Sequence, residues 1–166
     1  QNIEVIPPDI NISDSKFTIS ENKIHYGLSA LKGVGEESMI ELVSNRKEKG
    51  LFKSLVDFNK RLSRSVLNKR QIEKLILSNS FKSIHKDISK LFSNVETIIQ
   101  KKDENSLFSD EDDSQFYLNK KIIKIDQIDA EFESYGFLYS QKKQTSLLSK
   151  LNLNSFKEKI DSKSEI

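Results

Sequence analysis

Leu28-Ser29-Ala30-Leu31-Lys32-Gly33-Val34-Gly35-Glu36-Glu37 is the stretch from which the architecture is read. Gly33 and Gly35 let the backbone turn tightly and come close to a ligand. A helix opening directly after them presents free N–H groups suited to an anion such as phosphate. Beyond Gly35, Met39, Leu42 and Val43 share one helical face; Glu36 and Glu37 stand at the start, and Arg46, Lys47, Lys49 and Gly50 close the run. Acids first, bases last and glycine just past the end suit the helix dipole and the left-handed stop.

Two helical pieces joined by a glycine turn follow the logic of a helix-hairpin-helix unit, which grips the sugar-phosphate backbone without reading bases. A second helical pair follows. Ser54 with Asp57 is an N-cap signature before Leu55, Phe58 and Leu62, and Asn68 with Gln71 repeats it before Ile72, Leu75 and Ile76, with Asn79 as a left-handed stop. From Ser83, the spacing of Ile84, Ile88, Leu91, Val95 and Ile98 predicts one long amphipathic helix. Between Leu42 and Lys74 stand ten basic residues against three acidic ones, a local excess of seven that points to a polyanion. Lys60, Arg61, Arg64, Lys69, Arg70 and Lys74 alternate with apolar anchors and are expected to face outward. Lys32, Gly33, Val34 and Gly35 with Lys69, Arg70 and Lys74 are the candidate DNA-backbone contacts, whereas Lys47 and Lys49 read as a solvated face.

On the N-terminal side, Pro7-Pro8 excludes helix and pushes Ile6 toward extended geometry. Phe17-Thr18-Ile19 and Ile24-His25-Tyr26, joined by Ser20-Glu21-Asn22-Lys23, predict a hairpin in which His25 makes a local hydrogen bond. On the C-terminal side, Lys101 to about Asn119 reads as an acidic linker. Leu107-Phe108, isolated in that linker, suit an anchor for a partner's pocket. Ile125, Ile128, Phe132, Tyr135 and Phe137 predict a further helix ending near Gly136, and Leu147, Leu148 and Leu151 a short last one.

Hydrophobic residues make up 36% of the 166, below the roughly 45–50% of ordinary globular chains, so part of the chain is expected to pack poorly. The absence of Cys excludes disulfides, thiolate zinc sites and a cysteine nucleophile. His25 and His85 lie too far apart in sequence to suggest a metal centre, and no metal site is expected. Asp110-Glu111-Asp112-Asp113 are consecutive, whereas two-metal catalysis draws carboxylates from separate rigid elements, so no catalytic residue is assigned. No apolar run is long enough for a membrane span, and a cytoplasmic protein without a membrane partner is expected. The start at Gln1 suggests a piece of something longer.

Several quoted stretches together resemble the bacterial replicative DNA polymerase III alpha subunit family. They are Ile3-Glu4-Val5-Ile6-Pro7-Pro8-Asp9-Ile10-Asn11, Tyr26-Gly27-Leu28, Lys32-Gly33-Val34-Gly35-Glu36, Phe52-Lys53-Ser54-Leu55-Val56-Asp57-Phe58, Asn68-Lys69-Arg70, Leu107-Phe108 and Glu131-Phe132-Glu133-Ser134-Tyr135-Gly136-Phe137. The resemblance implies a mainly α chain with a small N-terminal β element. Residues 1–30 would end the fingers region, 31–100 form the tandem helix-hairpin-helix domain and long helix, 101–120 a flexible linker, and 121–166 a helical segment leading toward an OB-fold. It places Glu104-Asn105-Ser106-Leu107-Phe108 at the internal sliding-clamp-binding motif, with Glu104 where the family usually has Gln. Asn79 stands at a family Gly, and Tyr139-Ser140-Gln141-Lys142-Lys143 lacks the usual His-Pro.

The function expected is therefore that of a non-catalytic section of a DNA-directed DNA polymerase. Its partners would be primer–template duplex, the sliding clamp and, through the parent chain, other replicase subunits. The parent's catalytic aspartates and Mg2+ would lie outside this chain, which itself needs no cofactor. The alternatives are a helical module that binds only protein and a structure-specific nuclease section, which would require metal-dependent cleavage.

Overall fold

Residues 4–63, 65–100, 113–118 and 121–138 are described in a computed structural model of the chain. Three short strands, β1 (Glu4–Ile6), β2 (Thr18–Ser20) and β3 (Lys23–His25), form a sheet in the order β1-β3-β2. β2 and β3 are the expected antiparallel hairpin, with Ile19 opposite Ile24. Glu21 and Asn22 take φ of 50° and 57°, the positive pair that a tight two-residue hairpin turn requires. β1 adds in parallel, and the His25 ring meets Ser20 Oγ at 2.8 Å, the local bond expected of it.

Among the described residues the rest is helical: a 3-10 turn (Leu28–Ala30), α1 (Glu36–Lys49), α2 (Leu55–Arg61), α3 (Lys69–Leu77), α4 (Ile88–Ser93), α5 (Val95–Gln100), a second 3-10 turn (Asp113–Phe116) and α6 (Gln127–Tyr135). The caps read from the sequence are formed. Ser54 accepts from Asp57 N, and Asn68 and Gln71 make a reciprocal capping box. Asn79 takes φ of 60°, and Asn79 N and Ser80 N donate back to Ile76 O and Leu75 O, so the last carbonyls of α3 are satisfied.

The core lies where α1, α2 and α3 meet, with Ile10, Leu28, Met39, Leu42, Leu55, Ile72 and Leu75 fully buried. Phe58 joins Phe52 and Phe81 edge to face, with ring centroids 5.2 and 5.0 Å away. The Pro7-Pro8-Asp9-Ile10-Asn11 segment is fastened to this core by side chains that imitate backbone pairing. Asn11 accepts from Phe52 N and donates to Phe52 O, both at 2.8 Å, while Asp9 accepts from the amide and hydroxyl of Ser83.

Three expectations are corrected. The long helix from Ser83 is two short ones: Ser83 is held by Asp9, α4 begins after the Asp87 cap, and Asn94 interrupts the run. Asn94 is fully buried, its side chain donates to Lys90 O at 2.9 Å, and its backbone is nonhelical at φ −114° and ψ 12°. Apolar spacing survives such a break, so periodicity alone does not register it. Second, the linker does not run on to Asn119 as free chain: Phe116 is buried in the main core, and Asp113 Oδ1 accepts from Val56 N in the first turn of α2. Third, α6 forms and stops at Gly136, but it buries Ala130, Glu131, Ser134 and Tyr135, leaving Phe132 58% exposed, because Ser134 and Tyr135 are drawn to Lys32 and to Ser78 at the end of α3. The short helix expected around Leu147–Leu151 lies outside the described residues.

Phe116→Ala is expected to lower stability by about 3–5 kcal/mol, as for other buried Phe truncations. Leu118→Ala, two residues on but 64% exposed, should stay within about 0.5 kcal/mol. Urea unfolding followed by circular dichroism checks both; equal midpoints would remove Phe116 from the core.

Candidate nucleic-acid interface

The glycine turn leads from the 3-10 turn into α1. Leu31 and Val34 point into the core, and Val34 N donates to Leu31 O at 3.2 Å. Gly33 takes φ of 74°, a left-handed value that a side chain would strain. Gly35 is the N-cap of α1 and brings no side-chain acceptor, so the first-turn N–H groups lack both intrahelical and capping partners. Glu36 pairs with Lys16 at 2.8 Å, while the second first-turn acid, Glu37, stays exposed at the helix end.

The start of α3 lies against this turn. Gln71, buried at the N3 position of α3, accepts from Asn68 N at 3.0 Å and donates to Ser38 Oγ on α1 at 3.0 Å. A Cβ at Gly35 would stand 3.1 Å from the Gln71 amide nitrogen, and one at Gly33 would stand 3.2 Å from Arg70 Nε. Both glycines thus admit α3 as well as shaping the turn. The result is two helix N-termini side by side, an anion-attracting arrangement of dipoles, with the exposed Arg70 guanidinium across Gly33.

The other candidate cations are placed differently. Lys32 donates its backbone N–H to Ser134 O at 2.8 Å, and its Nζ lies 5.3 Å from the centre of the Phe132 ring. Lys69 pairs with Glu96 of α5 and, at 3.8 Å, with Glu73. The Glu96 hydrogen bond raises the Lys69 pKa. Lys74 does not face outward as expected: it is buried, and its amine pairs with Glu133 of α6 and reaches Glu133 O at 3.3 Å. The apolar face of α3 is wide enough to draw Lys74 under α6, where an acid is available.

The basic excess proves to be partly structural. Arg46, read from sequence as a dipole partner, is buried and donates to Ile10 O and Ser13 O at 2.7 and 2.8 Å. Arg61 donates to Asn45, Gly50 and Asp57 and covers the Phe52 ring at 4.3 Å. Lys47 pairs with Asp14 at 3.1 Å. Gln71 is a site residue that sequence reasoning takes only as a cap; the Ser38 hydroxyl one turn into α1 is the available signal. Glu104, Asn105, Ser106, Leu107 and Phe108 lie outside the described residues. Among the described residues no group of three His, Asp or Glu side chains is arranged to hold a metal, and no helix is long and apolar enough to cross a membrane.

Two hairpin units joined at their helix starts define a class: the helix-hairpin-helix motif family matches residues 2–91, and the chain belongs to it. Within that class, the sequence is similar to a segment of DNA polymerase III subunit alpha. It is 43% identical to the protein from Deinococcus radiodurans over 79 residues, covering 48% of this chain. It is 35% identical to that of Aquifex aeolicus over 141 residues and 31% identical to that of Buchnera aphidicola over 159, covering 82% and 94% of this chain. The matched portions are 6%, 12% and 12% of those relatives, so the chain spans about a tenth of their length.

Asn68→Ala removes the cap that orients Gln71 and is expected to cost about 1 kcal/mol. Asn68→Asp, which keeps an acceptor for Gln71 N, should recover most of it. Guanidinium unfolding midpoints for both variants check this, and an Ala variant as stable as the Asp variant would contradict it.

Proposed function

We propose that the chain is a non-catalytic section of a DNA-directed DNA polymerase that holds duplex DNA by its phosphates. The adjacent starts of α1 and α3 carry this reading: the uncapped first-turn N–H groups of α1 and the Arg70 guanidinium lie at a glycine turn that admits close approach. Lys32 and Lys69 border the same place. The arrangement offers charge and backbone donors but no reader of base edges, so the binding is sequence-independent. Polymerase chemistry, its carboxylates and its Mg2+ belong to parts of a longer chain, and the setting is the bacterial cytoplasm.

Glu104 to Phe108 are proposed to bind the sliding clamp. Leu107-Phe108 supply an apolar anchor, and Glu104 places a charge beside it. Support comes from the flanks: Ile98 on one side and Phe116 on the other are buried in the same core, so both ends of the intervening chain are tethered to the body that holds DNA. A protein-only module is favoured by one observation, the internal pairing of Lys69 and Lys74. That reading predicts no DNA retardation at any salt concentration.

A mobility-shift titration of duplexes of unrelated sequence is expected to give equal affinities that fall steeply with salt. Arg70→Ala and Lys32→Ala should each flatten the plot of log affinity against log salt by about one unit. Retention of the full slope in both would move the interface elsewhere. For the clamp, Leu107→Ala with Phe108→Ala should abolish pull-down of the purified ring while leaving DNA retardation unchanged. Capture of the ring by the double variant would relocate the anchor.

A further inference from the structure

The last turn of α6 is built into the interface although it lies beyond the matched residues 2–91. Ser134 O accepts the Lys32 amide at 2.8 Å, and Tyr135 Oη donates to Ser78 O at 2.8 Å. Gly136, left-handed at φ 82°, leaves room for the Lys32 stem: a Cβ there would come within 2.6 Å of Lys32 Cε. These contacts seat the turn without using any carboxylate. The Glu133 side chain is then free to reach the cations. It pairs with buried Lys74, and the Lys74 hydrogen bond and charge, then the charges of Lys32 and Arg70, hold its carboxyl below the usual carboxylate range.

We propose that Glu133 is a resident competitor for the phosphate site: its carboxylate covers Lys74 from the turn of α6 that receives the Lys32 amide, and a DNA phosphate displaces it. The proposal rests on the DNA-backbone reading above. The asymmetry of the pair supports it. The Lys74 side chain is 10% exposed and that of Glu133 62%, so the acid can swing into water while the base stays in place under α6. Loss of the acid alone would leave the buried ammonium uncompensated, whereas a phosphate brings a comparable charge and releases counterions from the duplex. Glu96 of α5 pairs with Lys69, but there both side chains are exposed, at 58% and 47%. Both amines on α3 are thus paired with exposed acids, Glu96 and Glu133, from other elements.

Glu133→Gln keeps the acceptor for Lys74 and removes the charge. The test titrates duplex DNA into the 166-residue chain and its variants at two salt concentrations, with thermal melts to verify folding. Glu133→Gln is expected to bind several-fold tighter at the lower salt, with a salt slope steeper by about one unit because Lys74 then neutralises one more phosphate. Asp129→Asn removes the same charge one turn earlier on α6 and should tighten binding far less. A folded Glu133→Gln that binds no tighter than the parent, or an Asp129→Asn that tightens binding equally, overturns the competitor role while leaving DNA binding intact. Should Glu133→Gln melt early, Glu133→Asp with the shortened reach decides: it must bind tighter than the parent, or the proposal fails. Retardation by neither parent nor variants overturns the DNA reading and this proposal together.

Discussion

The Gln71 side chain is committed at both ends of its amide, and the rest of the interface depends on that. Its oxygen closes the α3 capping box, and its nitrogen crosses to the Ser38 hydroxyl of α1. One amide cannot serve both unless the two helices start at the same level and within a side chain's reach. Gly35 makes that distance possible, since a Cβ there would crowd the same nitrogen. Burial removes water as a substitute partner, so separating the helices leaves polar groups unsatisfied. The glycine turn is therefore a packing device that lets α3 approach α1.

Once the helix starts are paired, the fate of each basic side chain follows from its angular position. Arg46 and Arg61 fall between elements and bond to carbonyl groups of the chain itself, fastening α1 to the N-terminal segment and α2 to the α1 end. Arg70 falls on the open side over Gly33. Lys69 and Lys74 fall between these cases and meet acids from α5 and α6. A charge excess along the chain thus overstates the charge offered to a ligand, because much of it neutralises carbonyl dipoles and carboxylates inside the fold.

Local chemistry made much of the fold legible. The Ser54 and Asn68 caps, the stop at Asn79, the hairpin at Glu21-Asn22 and the end of α6 at Gly136 all involve residues within a few positions of each other. Their geometry is decided before any distant part of the chain arrives. The expectations that changed concern burial. Asn94 breaks a helix whose apolar spacing is unbroken, Phe116 leaves an acidic stretch to enter the core, and α6 buries Ser134 and Tyr135 while exposing Phe132.

The residues of this chain determine by themselves its helical class, its caps and the glycine turn, because short-range sterics and hydrogen bonding act wherever those residues stand. Tertiary structure alone decided which cations stay exposed and which are paired with acids. Glu133 and Lys74 are far apart in sequence, and nothing local to either indicates the other. Only the seating of α6 on Lys32 and Ser78 brings the two charges together.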